Sequence, residues 1–183
     1  MKHFPLFLLL AVSLSIFTSC LDNSVEDKYK DRRNANLAWF EEQRSLTVDG
    51  KTFYTEVTAP WDPSGVILMH WFNDTMLTKD NLKPLYTSTV DVIYRGVIYD
   101  GTPFDSSYLN TSPGDSIFRT TVNSVVEGWS LALTNMHVGD SCRIVIPYTM
   151  GYGSYDMGTI LQPYSMLQFD LKLVDIYAYK TNQ

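Results

Sequence analysis

The stretch Leu167-Gln168-Phe169-Asp170-Leu171-Lys172-Leu173 carries an apolar side chain at every second position and a polar one between. Successive side chains of a strand point to opposite faces, so this run predicts a β-strand with one face buried and one wet. Such a strand belongs to an antiparallel sheet covered on one side. A second segment has the other period. Trp129, Ala132, Leu133 and Met136 fall at i, i+3, i+4 and i+7, the spacing of one helix face. Gly128 opens that segment and Val138-Gly139-Asp140 closes it. The two periods together predict an α+β fold, an antiparallel sheet with one short helix laid against it.

Further strands flank this pair. Val66 to Phe72 is apolar on both faces, as a strand buried between two layers would be. Thr89 to Ile98 is rich in β-branched residues and ends at the turn Asp100-Gly101. Ser116 to Val122 reads as another strand, and residues 73–87, which include Pro84, read as a loop. Asp49-Gly50 predicts a tight hairpin between Leu46-Thr47-Val48 and Lys51-Thr52-Phe53. Pro60-Trp61-Asp62-Pro63 interrupts the chain again. Before the hairpin, a helix is expected over roughly 25–45, started by Ser24, Glu26 and Asp27, with Tyr29, Leu37, Phe40 and Arg44 as its stripe.

Composition bounds the function. With 183 residues, 45 % of them hydrophobic and 19 % charged, the chain suits one globular domain plus appendages, which excludes wholesale disorder and a collagen-like repeat. Lys and Arg number 14 against 20 Asp and Glu, a net charge of −6. An acidic chain repels phosphate backbones, so no nucleic-acid partner is expected. Two cysteines permit at most one disulfide, which rules out a disulfide-stapled scaffold. Aromatic residues reach 14 %, a composition suited to a β-rich fold or a ring-lined pocket.

The N-terminus reads as an address. Lys2 and His3 precede the apolar run Phe4 to Phe17, which is short against the ~20 residues of a membrane-spanning helix. Phe17-Thr18-Ser19-Cys20 then resembles a bacterial lipobox, in which the cysteine is lipidated and becomes the first mature residue. This predicts a signal peptide over 1–19, a lipid-anchored tether with a helix over 20–47, and a globular domain over 48–178. Cys20 would hold the protein on a membrane of the bacterial cell envelope without spanning it. Leu21-Asp22 lacks an acid directly after the cysteine, so outer-membrane residence is expected, with the domain facing the periplasm or the cell surface.

Familiar catalytic constellations are missing. His70 and His137 have no partners at zinc-binding spacing, and each is expected to be structural. Gly151-Tyr152-Gly153 lacks the third glycine of a dinucleotide loop, since Asp156 stands in its place. No serine lies in a Gly-x-Ser-x-Gly elbow. Cys142 alternates with Ile144 and Ile146 and is expected in the core. No metal and no cofactor are expected. The long segment from Tyr148 to Pro163 is dense in Gly, Tyr and Pro and predicts a ring-lined binding rim.

Four blocks, in order, carry a family resemblance over roughly 65–177, strongest over 88–177. They are Val92-Ile93-Tyr94-Arg95-Gly96-Val97-Ile98-Tyr99-Asp100-Gly101-Thr102-Pro103-Phe104-Asp105-Ser106-Ser107; Val125-Val126-Glu127-Gly128-Trp129 with Met136-His137-Val138-Gly139-Asp140; Ile146-Pro147 with Gly151-Tyr152-Gly153; and Ile160-Leu161-Gln162-Pro163 with Leu167-Gln168-Phe169-Asp170-Leu171. The sequence resembles the FKBP-type peptidyl-prolyl cis-trans isomerases. The resemblance implies a five- or six-stranded antiparallel sheet wrapped around one short helix, with the pocket between them. It implies Tyr94, Phe104, Asp105, Trp129 and Tyr152 as catalytic residues, with Trp129 the pocket floor. It implies Phe118, Val125, Val126, Leu161 and Phe169 as substrate-binding walls. Ser116 stands where the family has a second ring, and alternation along a strand would aim it, like Phe118, at the pocket mouth. Gln162-Pro163 stands where the family has Pro-Pro.

The chemistry available agrees with that resemblance. Rotating an X-Pro bond breaks nothing covalent, so neither nucleophile nor metal is required. The barrier of ~18–20 kcal/mol arises from amide resonance. A site lowers it by holding the twisted amide better than the planar one. An apolar cup for the proline ring, with Tyr152 hydroxyl and the Leu161 backbone N–H as donors to the carbonyl, would do so. The expected partner is a proline-containing polypeptide, and the expected role is to assist folding of exported proteins. A second reading keeps the fold as a catalytically weak chaperone or peptide-binding module, on the ground of Ser116. Nothing in the sequence sets an oligomeric state.

Overall fold

The computed structural model describes residues 27–110 and 112–178; Cys20, the signal segment and Ser24 lie outside them. Helix α1 runs Lys30–Ser45. A small hairpin follows, β1 (Thr47–Val48) and β2 (Lys51–Thr52). Its two-residue Asp49-Gly50 loop has φ of 51° and 76°, so it turns with both centres left-handed, as such hairpins require. The main sheet comprises β3 (Thr55–Ala59), β4 (Asp62–Trp71), β5 (Thr89–Ile98), β6 (Pro103–Ser106), β7 (Phe118–Thr121), β8 (Ser141–Ile146) and β9 (Leu167–Ala178). Every pairing is antiparallel.

The strand order is β3-β4-β8-β9-β5-β6, with β7 also on β5. The sheet thus has seven strands where five or six were expected. Two facts account for the difference. Strands β6 and β7 share one edge of β5, β6 beside Arg95–Val97 and β7 beside Thr89–Val92. Strand β3 was not foreseen, because Thr55-Glu56-Val57-Thr58-Ala59 is mostly exposed and carries little apolar alternation. It forms by pairing with β4, whose outer edge would otherwise be bare.

The period-2 reading of Leu167–Leu173 matches the structure. Leu167, Phe169, Leu171 and Leu173 are buried, and Asp170 faces out to a bidentate pairing with Arg143 on β8, at 2.6 and 2.9 Å. In β4, Ile67, Leu68 and Met69 are all fully buried in succession. Ile67 and Met69 join the inner core, whereas Leu68 joins a second cluster on the opposite face. A strand covered on both sides has this pattern.

Helix α2 spans Glu127–Leu133 and lies against the inner face. It approaches so closely that a Cβ on Gly128 would stand 2.4 Å from Ile146 Cγ2. The expected helix reached Met136, but the observed one stops earlier. Thr134 Oγ1 donates to Ser130 O at 2.9 Å and Asn135 Nδ2 to Leu131 O at 2.8 Å, so side chains take over the terminal carbonyls. Met136 is still buried, 3.8 Å from Cys142 Sγ. Burial raises the Cys142 thiol pKa strongly, which suits a core residue and not a nucleophile.

Helix α1 docks on the outer face. Phe40 packs with Tyr54, Leu68, Val145 and Met166. Asn36, fully buried, accepts from Met166 N–H at 2.8 Å and donates to Arg32 O at 2.9 Å. Leu37, expected in the stripe, is instead exposed, because the docked face runs through Asn36 and Phe40. His70 also has a structural place: its ring stacks on Phe53 at 3.8 Å and Nδ1 lies 2.7 Å from Phe53 O. His137 caps a turn, its N–H donating to the buried Asp140 carboxylate at 2.7 Å.

Candidate active site

The inner sheet face and α2 enclose a cavity of about 270 Å³. Its floor is Trp129, one turn into α2 and only 4 % exposed. The indole sits among rings in edge-to-face contact. Tyr94 from β5 stands 4.9 Å away at 87°, and Phe169 from β9 stands 5.1 Å away at 86°. Phe118 at the start of β7 closes that side, 5.6 Å from Tyr94 and 6.4 Å from Trp129. Such pairs add ~0.5–1.5 kcal/mol each beyond area burial, so the cup is stiff. Trp129 Nε1 is buried without a hydrogen-bond partner, so ring packing is what fixes the indole.

The remaining wall comes from backbone turns. A 3₁₀ turn at Val122–Ser124 leads into extended Val125 and Val126, which cap the entry to α2 and line the cavity. Ser130 Oγ donates to Val122 O at 2.6 Å and ties the helix to that turn. Ser124 also lines the cavity. Sequence reasoning missed it; its place directly before Val125-Val126 was the available signal.

Besides the Trp129 indole, the polar side chains on the cavity are those of Tyr94, Asp105, Ser124 and Tyr152. Tyr94 hydroxyl donates to Asp105 Oδ2 at 2.6 Å, which fixes the carboxylate at the cavity edge. Burial raises the Tyr94 phenol pKa strongly, and the bond to Asp105 adds to it. Tyr152 enters from the loop after β8, and its phenol pKa is also raised, by burial first and then by the Asp105 charge. Both phenols therefore stay protonated through neutral pH and can donate.

The structure thus brings Tyr94, Asp105, Phe118, Val125, Val126, Trp129, Tyr152 and Phe169 around one cavity. Two sequence-predicted residues stand back from it. Phe104 lies behind Phe169, at 5.4 Å and 77°, and Leu161 packs at the edge of the core. Phe104 is a buttress: a Cβ on Gly96 would meet Phe169 at 2.7 Å and Phe104 at 2.9 Å, so the glycine lets both rings press onto the strand.

Ser116 is a correction. Strand β7 begins only at Phe118, because Gly114, Asp115 and Ser116 form a left-handed turn with φ of 111°, 53° and 63°. Alternation from Phe118 does not extend back through that turn. Ser116 Oγ donates to Tyr108 O at 3.3 Å, and the residue is not on the cavity wall. The ring-rich rim from Tyr148 to Pro163 is also smaller than expected. Tyr152 alone of its rings reaches the cavity; Tyr148 turns to the outer cluster and Tyr155 is 75 % exposed.

Comparison with known proteins places this geometry. Residues 81–174 match the family described as FKBP-type peptidyl-prolyl cis-trans isomerase. The chain is 35 % identical over 131 residues to a macrophage infectivity potentiator of Trypanosoma cruzi, covering 69 % of this chain and 63 % of that protein. It is 39 % identical over 93 residues to an FKBP-type 22 kDa peptidyl-prolyl cis-trans isomerase of Escherichia coli, covering 51 % and 43 %. The chain therefore spans less than two thirds of the length of these curated relatives. Its fold superimposes on a peptidyl-prolyl cis-trans isomerase from Pseudomonas syringae with a TM-score of 0.64 and 26 % identity, covering 81 % of this chain and 95 % of that one. With the family matched over half its length and the fold shared, this chain belongs to the FKBP-type peptidyl-prolyl cis-trans isomerases.

Proposed function

We propose that the protein is a peptidyl-prolyl cis-trans isomerase that acts on polypeptides at the bacterial cell envelope. The observation that carries this is the ring-walled cavity over Trp129, lined also by protonated phenols and a tethered carboxylate. Substrate proline enters the apolar cup. Its preceding carbonyl loses conjugation as the amide twists, and an apolar wall tolerates that form better than water-like surroundings do. Tyr152 hydroxyl is the donor that holds the carbonyl. Asp105, kept in place by Tyr94, shapes the wall and transfers no proton. The second reading, a catalytically weak module, rested on Ser116 in the pocket mouth, and Ser116 lies off the cavity wall. A protease-coupled assay on a short single-proline peptide tests the proposal. Uncatalysed exchange takes ~10–100 s, and catalysis should shorten it in proportion to protein added. A rate equal to the spontaneous one would sink it.

The lipobox-like Phe17-Thr18-Ser19-Cys20 supports lipid anchoring through Cys20, with residence at the outer membrane, facing the periplasm or the cell surface. Among the described residues, no helix is long and apolar enough to cross a membrane. Cys20→Ser should move the protein from the membrane to the soluble fraction. Unchanged fractionation would remove the anchor from this account.

A further inference from the structure

The loop that delivers Tyr152 ends in a tip that stands out in solvent. Every residue from 154 to 160 is exposed, including Tyr155 at 75 %, Met157 at 55 % and Ile160 at 40 %. The base of the tip is closed: Tyr164 N–H donates to Gly153 O at 2.9 Å, and Met157 N–H donates to Leu161 O at 2.9 Å. One ring and two other apolar side chains are thus presented on a compact projection. The cavity over Trp129 does not use them, since it takes only Tyr152 from this loop.

The first turns of α1 hold that loop. Tyr29, Arg32, Arg33 and Asn36 fall at i, i+3, i+4 and i+7 and so share one face. Tyr29 hydroxyl donates to Asp156 Oδ2 at 3.4 Å, at the tip itself. Arg32 Nη2 donates to Ser165 Oγ at 2.9 Å, and Asn36 Oδ1 accepts from Met166 N–H. The Arg33 guanidinium lies 6.0 Å from the Tyr148 ring and 5.5 Å from the Tyr164 ring, at the two ends of the loop. The tip and the start of α1 are therefore one unit. Helix α1 is 16 residues long, about 24 Å at about 1.5 Å per residue, so its other end and the β1–β2 hairpin are remote from that unit.

Chain length selects what the tip meets. Asp27 comes seven positions after Cys20. At no more than about 3.6 Å per residue, Cys20 lies within about 25 Å of Asp27 whatever path joins them. A lipid on Cys20 therefore keeps the start of α1, and the tip clasped to it, beside the bilayer, while the hairpin end lies a helix length away. So short a tether holds the tip near the surface at an effective concentration on the order of millimolar, enough to populate a contact of few side chains. Charges around the tip nearly balance, Lys28 and Lys30 against Asp27, Asp31 and Asp156, so the attraction is apolar and not electrostatic.

We infer that the tip from Tyr155 to Ile160 is a membrane-contact surface, seated in the interfacial layer of the bilayer that holds Cys20. The inference rests on the lipid-anchor reading. Tyr155, Met157 and Ile160 lie at the boundary of head groups and acyl chains, about 5–10 Å deep, as interfacial apolar faces do. Lipid and tip give the domain two points of attachment, which fix its orientation. They also put the Tyr152 side of the cavity at the membrane, where the enzyme meets polypeptides that run along the surface.

The test uses the lipidated full chain in phosphatidylcholine vesicles. A nitrobenzoxadiazole dye, whose emission depends on polarity, is attached at Thr159→Cys in the tip or at Val48→Cys in the hairpin. Both sites are exposed, and Cys142 is fully buried, so labelling is confined to the new thiol. On vesicles the tip dye should shift to shorter wavelength. Lipid spin-labelled near its head group should quench it more than lipid spin-labelled at the chain end. The hairpin dye should show neither effect. Tyr155→Ser/Ile160→Ser should return the tip dye to its spectrum in water while the protein still floats with the vesicles. A tip dye that stays in water on floating vesicles, an equal response from both dyes, or a shift that survives the double substitution would overturn the contact and leave the anchor standing. A tip dye that answers to an unfolded polypeptide and not to vesicles would assign the tip to the substrate chain and overturn it as well. Failure of the wild type to float would strike the anchor reading and the contact together.

Discussion

The two faces of the sheet are finished by different means. On the inner face the contacts are mostly rings and aliphatic side chains, and the cavity adds the polar groups of Tyr94, Asp105, Ser124 and Tyr152. On the outer face, α1 is held by an apolar cluster around Phe40 and by the buried amide of Asn36. Inside, the fit leaves a hole, and rigidity comes from interlocked edges of Tyr94, Phe118, Trp129 and Phe169. Outside, α1 is tied to the residues just before β9 by Asn36, which accepts from Met166 N–H, and by Arg32, whose guanidinium donates to Ser165 Oγ at 2.9 Å. The faces meet at the loop after β8. That loop sends Tyr152 into the cavity, and it ends at Met166, whose N–H is taken by Asn36. The outer helix therefore helps set where the inner rim stands.

The comparison breaks most visibly at Trp129. Trp129→Ala should cost ~3–5 kcal/mol of stability by urea unfolding, because it empties a well-packed site, and prolyl turnover should vanish with it. Trp129→Leu should unfold less readily yet remain poor in turnover, since an aliphatic chain gives no flat floor. Full turnover by the leucine variant would mean that the floor lies elsewhere.

Asn36 sharpens the contrast from the other face. Asn36→Ala leaves the buried Met166 N–H without an acceptor, which should cost about 1–3 kcal/mol. Trp129→Ala and Asn36→Ala remove contacts from separate clusters, so their stability losses should add within about 0.5 kcal/mol. Turnover in Asn36→Ala should fall modestly, because the Tyr152 loop loses its fixed end. A turnover identical to wild type would show that the loop is held by its own contacts alone.

What the sequence disclosed follows the same division. The inner face was legible because each of its features is local. Leu167–Leu173 alternates cleanly, Asp100-Gly101 turns as such pairs do, and Trp129 to Leu133 carries helical spacing. The outer face was less legible because its main contact joins residues 36 and 166, a tertiary pairing that no local period encodes. Thus Leu37 was expected on the buried stripe, while Asn36, a polar residue, is the one fully buried. Strand β3 escaped notice for a related reason, since its pairing with β4 and not its own composition makes it a strand. The Ser116 expectation failed at a turn. A period-2 argument holds only inside a strand, and three consecutive left-handed residues place Ser116 outside one.

Tyr152 carries a smaller expected effect. Tyr152→Phe removes a hydroxyl and keeps the ring. Loss of one hydrogen bond is worth ~0.5–1.5 kcal/mol, so kcat/KM should fall about three- to tenfold with thermal stability nearly unchanged. An unaltered kcat/KM would exclude the hydroxyl as carbonyl donor and shift attention to backbone N–H groups at the rim.

The smallest effect expected is a null between pH 7 and pH 9, and its sign on the alkaline side is fixed by the environment. The charged form of tyrosine is the phenolate. Burial, the largest influence, disfavours it for both Tyr94 and Tyr152, and the neighbouring Asp105 disfavours it further. The folded state therefore keeps these protons above the ordinary phenol pKa of about 10, where the unfolded chain gives them up. Below about pH 10 both states are protonated and the phenols add no pH slope to stability. Above it the native state binds more protons than the unfolded one, so stability falls as pH rises. Turnover should accordingly stay level from about pH 7 to pH 9, with Tyr152 an intact donor throughout. Urea midpoints should decline above about pH 10, and Tyr94→Phe should decline less steeply than wild type, because it has one fewer such proton to retain. Tyr54, whose phenol pKa burial also raises, keeps part of the slope in that variant. A turnover that drops between about pH 7 and pH 9 in wild type but not in Tyr152→Phe would mean that the phenol ionises early, and the apolar character assigned to the rim would be wrong.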